Sequence, residues 1–193
     1  MLNLKIYKTN NEIILPKFGT KQAACFDIAY QPNGKYEYVG YNAFNGTFTR
    51  PIREDGRMTI MPGDRIMVPT GLIFDIPEGY SVRIHPRSGL SYKQGLILAN
   101  LEAVIDSDYV QETFVLLTNL SENPQSINPG DRIAQAELVS QLNYEITETI
   151  VAPTQKTDRI GGLGSTGVSS VVITTPSITT EAPRRPGRPR KVA

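Results

Sequence analysis

Short apolar runs rich in β-branched residues alternate along this chain with clusters of Pro, Gly, Asn and Asp, a rhythm that predicts strands. Residues 65–69, 80–84, 113–118 and 132–138 each read as a strand between turn residues. Met61-Pro62-Gly63-Asp64 and Asn128-Pro129-Gly130-Asp131 are near-duplicate turns, and each leads into an Arg-Ile strand. Long stretches at helical period are missing. One short helix is expected over Ser88–Gln94, with Ser88 as N-cap and Gly95 as stop. The pattern predicts an all-β fold, a jelly-roll-like barrel with one short helix. Residues 31–57, rich in Tyr, Asn and Gly, read as an insertion or a long hairpin without recognisable chemistry.

The character changes after Val151. One β domain is expected over 1–151, followed by a polar, then glycine-rich arm over 152–167. Residues 168–183 are mostly Ser, Thr, Val, Ile and Pro and read as a flexible or extended linker. Residues 184–193 form a basic Pro/Gly tail that cannot bury a core and is expected to be disordered.

A length of 193 residues suits one domain with a tail, and 39% hydrophobic content is adequate for a core. No apolar run approaches the roughly 18 residues of a membrane span, and the N-terminus lacks a signal-peptide pattern. Cys25 is the sole cysteine, which excludes an internal disulfide framework and fits a reducing cytoplasm. His85 is the sole histidine, which argues against zinc. A metal, if used, is expected to be a hard cation held by oxygen, with Mg²⁺ the natural choice beside phosphates. The net charge of +1 hides an asymmetry. Arg184, Arg185, Arg188, Arg190 and Lys191 are five of the 20 basic residues, leaving 15 against 19 acids, a net of −4, in residues 1–183.

The candidate chemistry lies in five clusters. Asp27 falls in Ala24-Cys25-Phe26-Asp27-Ile28, an acid between apolar strand residues that points to solvent or into a site. In Pro86-Arg87-Ser88-Gly89-Leu90-Ser91, Ser88 and Gly89 open the helix, whose N-terminal N–H groups favour phosphate oxygens. Ser88 adds a hydroxyl donor, and Arg87 contacts phosphate or braces an acid of the site. Ile105-Asp106-Ser107-Asp108-Tyr109 reads as a hairpin turn. Gly130-Asp131-Arg132-Ile133-Ala134-Gln135 reads as a turn and strand, with Asp131 in the turn and Arg132 paired to an acid. In Gly161-Gly162-Leu163-Gly164-Ser165-Thr166-Gly167, glycines let backbone amides approach phosphates and Ser165 and Thr166 add hydroxyls. Together these supply what a pyrophosphate-releasing nucleotide hydrolase needs. Cys25 reads as a packing residue and His85 as a structural strand-end residue.

In this order, from about Ala24 to Gly167, the clusters resemble the five motifs of the trimeric dUTPases. The resemblance implies that Asp106 activates the attacking water, Asp108 supports the turn, and Tyr109 packs beneath a deoxyribose, excluding a 2′-hydroxyl. It implies that Asn100 contacts uracil beside the backbone of the Asp106 hairpin, with Ala103 in place of the usual glycine. Gln135 would donate to the α-phosphate region. Asp27 would hold Mg²⁺ through the ion's waters, with Cys25 standing where the family has glycine. The arm would close over the ligand through Gly164, Ser165 and Thr166. The family's arginine lies three residues before the paired glycines, where this chain has Asp158, so the γ-phosphate arginine is expected to be Arg159 in a shortened loop. Leu163 replaces the aromatic that covers uracil. The implied protein is a homotrimer hydrolysing dUTP to dUMP and pyrophosphate, with each site built from three chains. The competing readings are a dCTP deaminase of the same fold and a DNA-binding or regulatory protein on that scaffold. The second is motivated by Gly187-Arg188-Pro189-Arg190-Lys191, which resembles the core of an AT-hook suited to a narrow A·T minor groove.

Overall fold

The computed structural model describes residues 2–158 and Gly161. Met1–Glu145 form one compact unit, and the chain from Ile146 onward falls in a second. Among the described residues the first unit holds β1 (Lys5–Lys8), β2 (Phe26–Ala29), β3 (Glu37–Tyr41), β4 (Thr47–Pro51), β5 (Met58–Ile60), β6 (Arg65–Pro69) and β7 (Leu72–Asp75). It continues with β8 (Tyr80–His85), α1 (Ser88–Gln94), β9 (Leu96–Leu98), β10 (Ala103–Ile105), β11 (Phe114–Asn119), β12 (Gln125–Ile127) and β13 (Arg132–Ser140). A four-stranded sheet runs β10-β8-β13-β2 and a five-stranded sheet runs β4-β3-β6-β11-β9; β1-β7 and β12-β5 are two-stranded ribbons. All these pairings are antiparallel.

The expected all-β fold with one short helix is the one observed. Alternation along the strands builds its core. Ile66 and Val68 of β6 are buried while Arg65 and Met67, which alternate with them, are exposed. One apolar cluster draws Ile28, Val82, Ile84 and Ile133 from the four-stranded sheet and Tyr38, Ile66, Leu96 and Leu117 from the five-stranded one. The two near-duplicate turns share one geometry. Gly63 and Gly130 have φ of 75° and 86°, and the amides of Asp64 and Asp131 return to the carbonyls of Met61 and Asn128, each at 3.0 Å. Each aspartate carboxylate also accepts from the first amide of its turn, at 2.9 Å for Met61 and 2.8 Å for Asn128.

The structure adjusts strand bounds, including an extension of the strand expected over 80–84 to His85, and the helix cap. The strand expected over 132–138 extends to Ser140, and the one over 113–118 begins and ends one residue later. Residues 31–57 contain the β3–β4 hairpin, closed by an Asn42 side chain that accepts from the amides of Phe44 and Gly46. The helix spans the expected residues and stops at the left-handed Gly95, but Arg87 is its N-cap and no side chain caps it. Arg87 keeps an extended backbone, and its carbonyl takes the first helical amides, Leu90 and Ser91. Ser88 is therefore the first helical residue, with its hydroxyl exposed.

Candidate functional site

The site's first half is fixed by register. β13 lies between β2 and β8, with Gln135 opposite both Asp27 and His85. Asp27, Gln135 and His85 thus form one cross-strand row on the outer face of the four-stranded sheet. A register shift between Arg132 and Ala134 interrupts the ladder where Arg132 turns toward Asp27. Two guanidiniums converge on Asp27: Arg87 Nε on Oδ1 at 2.8 Å and Arg132 Nη1 on Oδ2 at 3.0 Å. Arg87 also donates to the Arg132 carbonyl at 2.9 Å, and Gln135 donates to the Pro86 carbonyl at 3.0 Å. Beside them is a groove of about 250 Å³ that Arg87, Arg132 and Gln94 line together with Asp131, so two guanidiniums stand against the carboxylates of Asp27 and Asp131. Guanidinium forks suit phosphate oxygens. The amides of Ser88 and Gly89 and the Ser88 hydroxyl make no hydrogen bond among the described residues. A Cβ on Gly89 would meet nothing within 4 Å, so only an incoming group would press on that backbone.

The second half is the hairpin after β9. Leu101 has φ of 62°, and the Glu102 amide returns to the Asn100 carbonyl at 2.7 Å, making a tight corner. β10 then leads to a turn in which the Tyr109 amide donates to the Asp106 carbonyl at 3.1 Å. The Asp106 side chain is exposed and makes no hydrogen bond or ion pair among the described residues. Tyr109 is oriented by its hydroxyl, which donates to the Glu112 carbonyl at 3.0 Å. The Glu112 carboxylate in turn accepts from the Gly71 amide at 3.0 Å. Glu112 was not singled out in the sequence, because a loop residue three positions from Tyr109 carries no pattern.

One chain does not bring the halves together. β10 and β8 are antiparallel with Ile105 opposite Val82 and Ala103 opposite Ile84. Asp106 lies past one end of that pairing and Arg87 past the other. At about 3.3 Å per residue the two stand roughly 15–20 Å apart along the strands. Arg159, Leu163, Gly164, Ser165 and Thr166 lie outside the described residues.

His85 ends β8 as expected, with its ring between two acids. Its Nε2 lies 3.2 Å from Glu137 and its Nδ1 3.8 Å from Glu102, two residues past Asn100. Burial, then the charges of Glu137 and Asp27, push the Cys25 thiol up, which suits packing and not nucleophilic attack. No group of three or more His, Cys, Asp or Glu able to cage a metal exists among the described residues. Each oxygen of Asp27 takes one guanidinium N–H and keeps a lone pair for another donor. The donor set therefore fits a hydrated cation met through water, and does not fit a directly ligated one.

An antiparallel jelly-roll-like fold with two guanidiniums gathered on one carboxylate and a separate acid-bearing hairpin suits polyphosphate chemistry. The model of the family described as dUTPase matches residues 52–167, and the chain belongs to that family. It is 36% identical over 167 residues to the deoxyuridine 5'-triphosphate nucleotidohydrolase of Rhizobium etli, covering 86% of this chain and 94% of the relative. The protein of the same name from Nautilia profundicola is 38% identical over 167 residues, covering 86% and 99%. Among solved structures, the Staphylococcus bacteriophage 80alpha dUTPase with dUPNHPP shares the fold, with a TM-score of 0.67, 19% identity and coverage of 87% and 100%. A dUTPase from phage phi11 of S. aureus, described with a structural Mg(II) ion, has a TM-score of 0.60, 18% identity and coverage of 78% and 98%. Among the described residues no helix is long and apolar enough to cross a membrane.

Proposed function

We propose that this protein is a dUTP diphosphatase that hydrolyses dUTP to dUMP and pyrophosphate, lowering dUTP and supplying dUMP for thymidylate synthesis. The observation that carries the reading is the pairing of a free, exposed Asp106 carboxylate with a distant guanidinium-rich surface, within a chain of the dUTPase family. Asp106 accepts a proton from water as it attacks the α-phosphorus, the bond from that phosphorus to the bridging oxygen breaks, and pyrophosphate leaves. Arg87, Ser88, the Gly89 amide and Gln135 hold the phosphates and meet the charge that develops on them. Tyr109 packs under the deoxyribose and Asn100 reads the base.

Mg²⁺, carried by the triphosphate, supplies charge neutralisation when bound. Asp27 would receive it through water while holding Arg87 and Arg132 in place.

The working form in this reading is a homotrimer with shared sites; the separation of Asp106 from Arg87 within one chain supports a site shared between chains. Residues 152–167, including Arg159, Leu163, Gly164, Ser165 and Thr166, form an arm that acts on a neighbouring chain's site. Leu142, Tyr144, Ile146 and Ile150 are exposed and recur largely every second residue, the pattern of a strand that seeks an edge outside its own chain. We place the protein in the cytoplasm.

Product analysis with purified protein, Mg²⁺ and each of dUTP, UTP, dTTP and dCTP tests the reading. Pyrophosphate and dUMP from dUTP alone are expected. Ammonia from dCTP, or saturable dUTP binding without turnover, would sink it in favour of a deaminase or a regulatory scaffold.

The tail supports a second property. Residues 184–193 lie beyond the family-matched residues and carry five positive charges and no acid, which suits weak binding to A·T-rich duplex. Removal of residues 168–193 is expected to abolish that binding and leave hydrolysis intact; equal DNA binding by the truncated protein would refute it.

A further inference from the structure

We propose that Glu112 is a positioning residue for the choice between deoxyribose and ribose, and that it acts through Tyr109. The inference rests on the reading that the site takes dUTP with Tyr109 beneath the sugar. A tyrosine face excludes a 2′-hydroxyl only while the ring stays in place, and a displacement of about 1 Å is enough to change what fits. Tyr109 is 39% exposed, so core packing holds little of its ring. Its backbone is fixed by the turn at Asp106, and the far end of the ring by the hydroxyl, which donates to the Glu112 carbonyl.

That carbonyl belongs to the peptide group joining Glu112 to Thr113. In a trans peptide the C=O and N–H point opposite ways. The C=O faces Tyr109, and the Thr113 N–H donates to the Leu72 carbonyl at 2.8 Å. One rigid plane therefore links the tyrosine ring to the start of β7. The Thr70 hydroxyl donates to the Thr113 carbonyl and ties the same segment down. The Glu112 side chain folds onto this corner as well: it is 15% exposed, and its Oε1 accepts from the Gly71 amide at 3.0 Å. Gly71 is pinned in turn. Its φ is 66°, its carbonyl accepts from the Thr9 amide at 3.0 Å, and a Cβ there would strike Ile13.

The hydrogen bond to Gly71 is the stronger part of this hold. Gly71 is buried, so an N–H deprived of the carboxylate is costly, and the segment at residues 112–113 shifts to relieve it. The peptide plane carries that shift to the Tyr109 hydroxyl. The second carboxylate oxygen, Oε2, lies 4.0 Å from Lys35 Nζ, which also stands 5.4 Å from the Phe114 ring centroid. Lys35 is 41% exposed, so this pair adds less. It does bring in a residue that precedes the family-matched residues 52–167. The hydrogen bonds of Glu112 lead to Gly71 and to the Tyr109 hydroxyl, and not to the Asp106 carboxylate or the phosphate surface. Its effect therefore falls on the sugar contact.

The test is the ratio of kcat/KM for dUTP to kcat/KM for UTP, measured on the full chain and on Glu112→Ala, Glu112→Asp, Glu112→Gln and Tyr109→Phe. Far-UV circular dichroism establishes folding, and E112D carries the test if E112A does not fold. E112A and E112D withdraw the acceptor from Gly71 and are expected to lower the ratio by about 10-fold or more, the size of a lost hydrogen bond to a charged group. E112Q keeps an oxygen for the Gly71 amide and should stay within about threefold of wild type, since only the partly exposed Lys35 pair is lost. Y109F removes the hydroxyl and keeps the ring, and should lower the ratio as E112A does. A merely structural role would lower turnover of both nucleotides alike. Folded E112A and E112D with the wild-type ratio, or Y109F with that ratio, would overturn the proposal and leave the dUTPase reading standing. A wild type that hydrolyses neither nucleotide would remove both.

Discussion

Arg87 donates Nε to Oδ1 of Asp27 at 2.8 Å while a second of its nitrogens donates to the Arg132 carbonyl at 2.9 Å. One planar guanidinium therefore ties β2 to the start of β13 at the point where the helix begins. Lysine has no such fork. Arg87→Lys is expected to keep one of the two contacts and lower kcat/KM by about 10²-fold, because it shifts the phosphate surface by about 1 Å. Stability should change by less than about 1 kcal/mol, since the pair is partly exposed. Steady-state kinetics with urea unfolding checks both, and unchanged kcat/KM would remove Arg87 from the site.

Gly89 separates packing from ligand approach. A methyl group there meets open space, and alanine favours a helix over glycine. Gly89→Ala is expected to leave stability unchanged or raise it by up to about 1 kcal/mol. Its kcat/KM for dUTP should nevertheless drop, because a Cβ would stand between phosphate and backbone. A thermal melt and a kinetic assay on the same preparation decide it; full activity would mean that no ligand approaches this amide.

The sequence made the turns, the helix and the fold class legible because each rests on local chemistry. Pro-Gly-Asp demands a left-handed glycine, and Gly95 demands a stop. Ser88 reads as the cap because its residue type is the usual one, whereas the extended residue before the helix is Arg87, whose side chain is engaged by a carboxylate 60 residues earlier. The Asp27 clamp itself was half legible: Arg132 was expected to pair with an acid, but nothing local names which. The sequence leaves the hairpin in residues 31–57 as one of two readings, since its strands are short and their partner β6 is distant. The separation of Asp106 from Arg87 depends on β8–β10 register, which no single segment encodes.

Arg50 and Asp64 anchor the hairpin. Asp64 is 2% exposed and ion-paired to Arg50, whose guanidinium also stacks 3.8 Å from the Phe48 ring centroid. Burial disfavours the charge on Arg50, but the hydrogen bond and charge of Asp64 outweigh it and hold the pKa up. Arg50→Ala strands a buried carboxylate and is expected to cost about 3 kcal/mol. The double variant Arg50→Ala with Asp64→Asn should recover part of that loss. A single variant as stable as wild type in urea would show that solvent reaches Asp64.

Stability should fall in alkali. Burial, then the nearby Tyr38, pushes the Tyr30 hydroxyl well above its ordinary range; the hydroxyl donates to the Gly56 carbonyl at 2.7 Å. The Cys25 thiol is also raised. In both cases the folded chain keeps a proton that the unfolded chain loses. The stability they confer is therefore complete below about pH 9 and declines as pH rises past the unfolded values. The slope should approach about 1.4 kcal/mol per pH unit where Tyr30 titrates only in the unfolded chain, with the less buried Cys25 adding little. Urea unfolding from pH 8 to 11 measures it, and Tyr30→Phe should flatten the upper part. A wild-type curve flat to pH 11 would contradict the burial of that hydroxyl.

A site divided between chains allows two dead proteins to make a live one. Asp106→Asn removes the proton acceptor and is expected to lower kcat by about 10²–10⁴ with dUTP still bound. Its fold should be intact, because Asp106 has no partner to lose among the described residues. Ser88→Ala with Arg87→Ala removes the phosphate contacts and leaves Asp106 untouched. If Asp106 of one chain serves phosphates held by another, mixing the two variants at equal amounts and allowing exchange restores sites in which both halves are intact. Random assembly predicts about one quarter of wild-type sites. Each variant incubated alone stays inactive under the same conditions. A mixture no more active than its components, after mass spectrometry has confirmed hybrid assemblies, would mean that one chain folds both halves together, against the strand register that separates them.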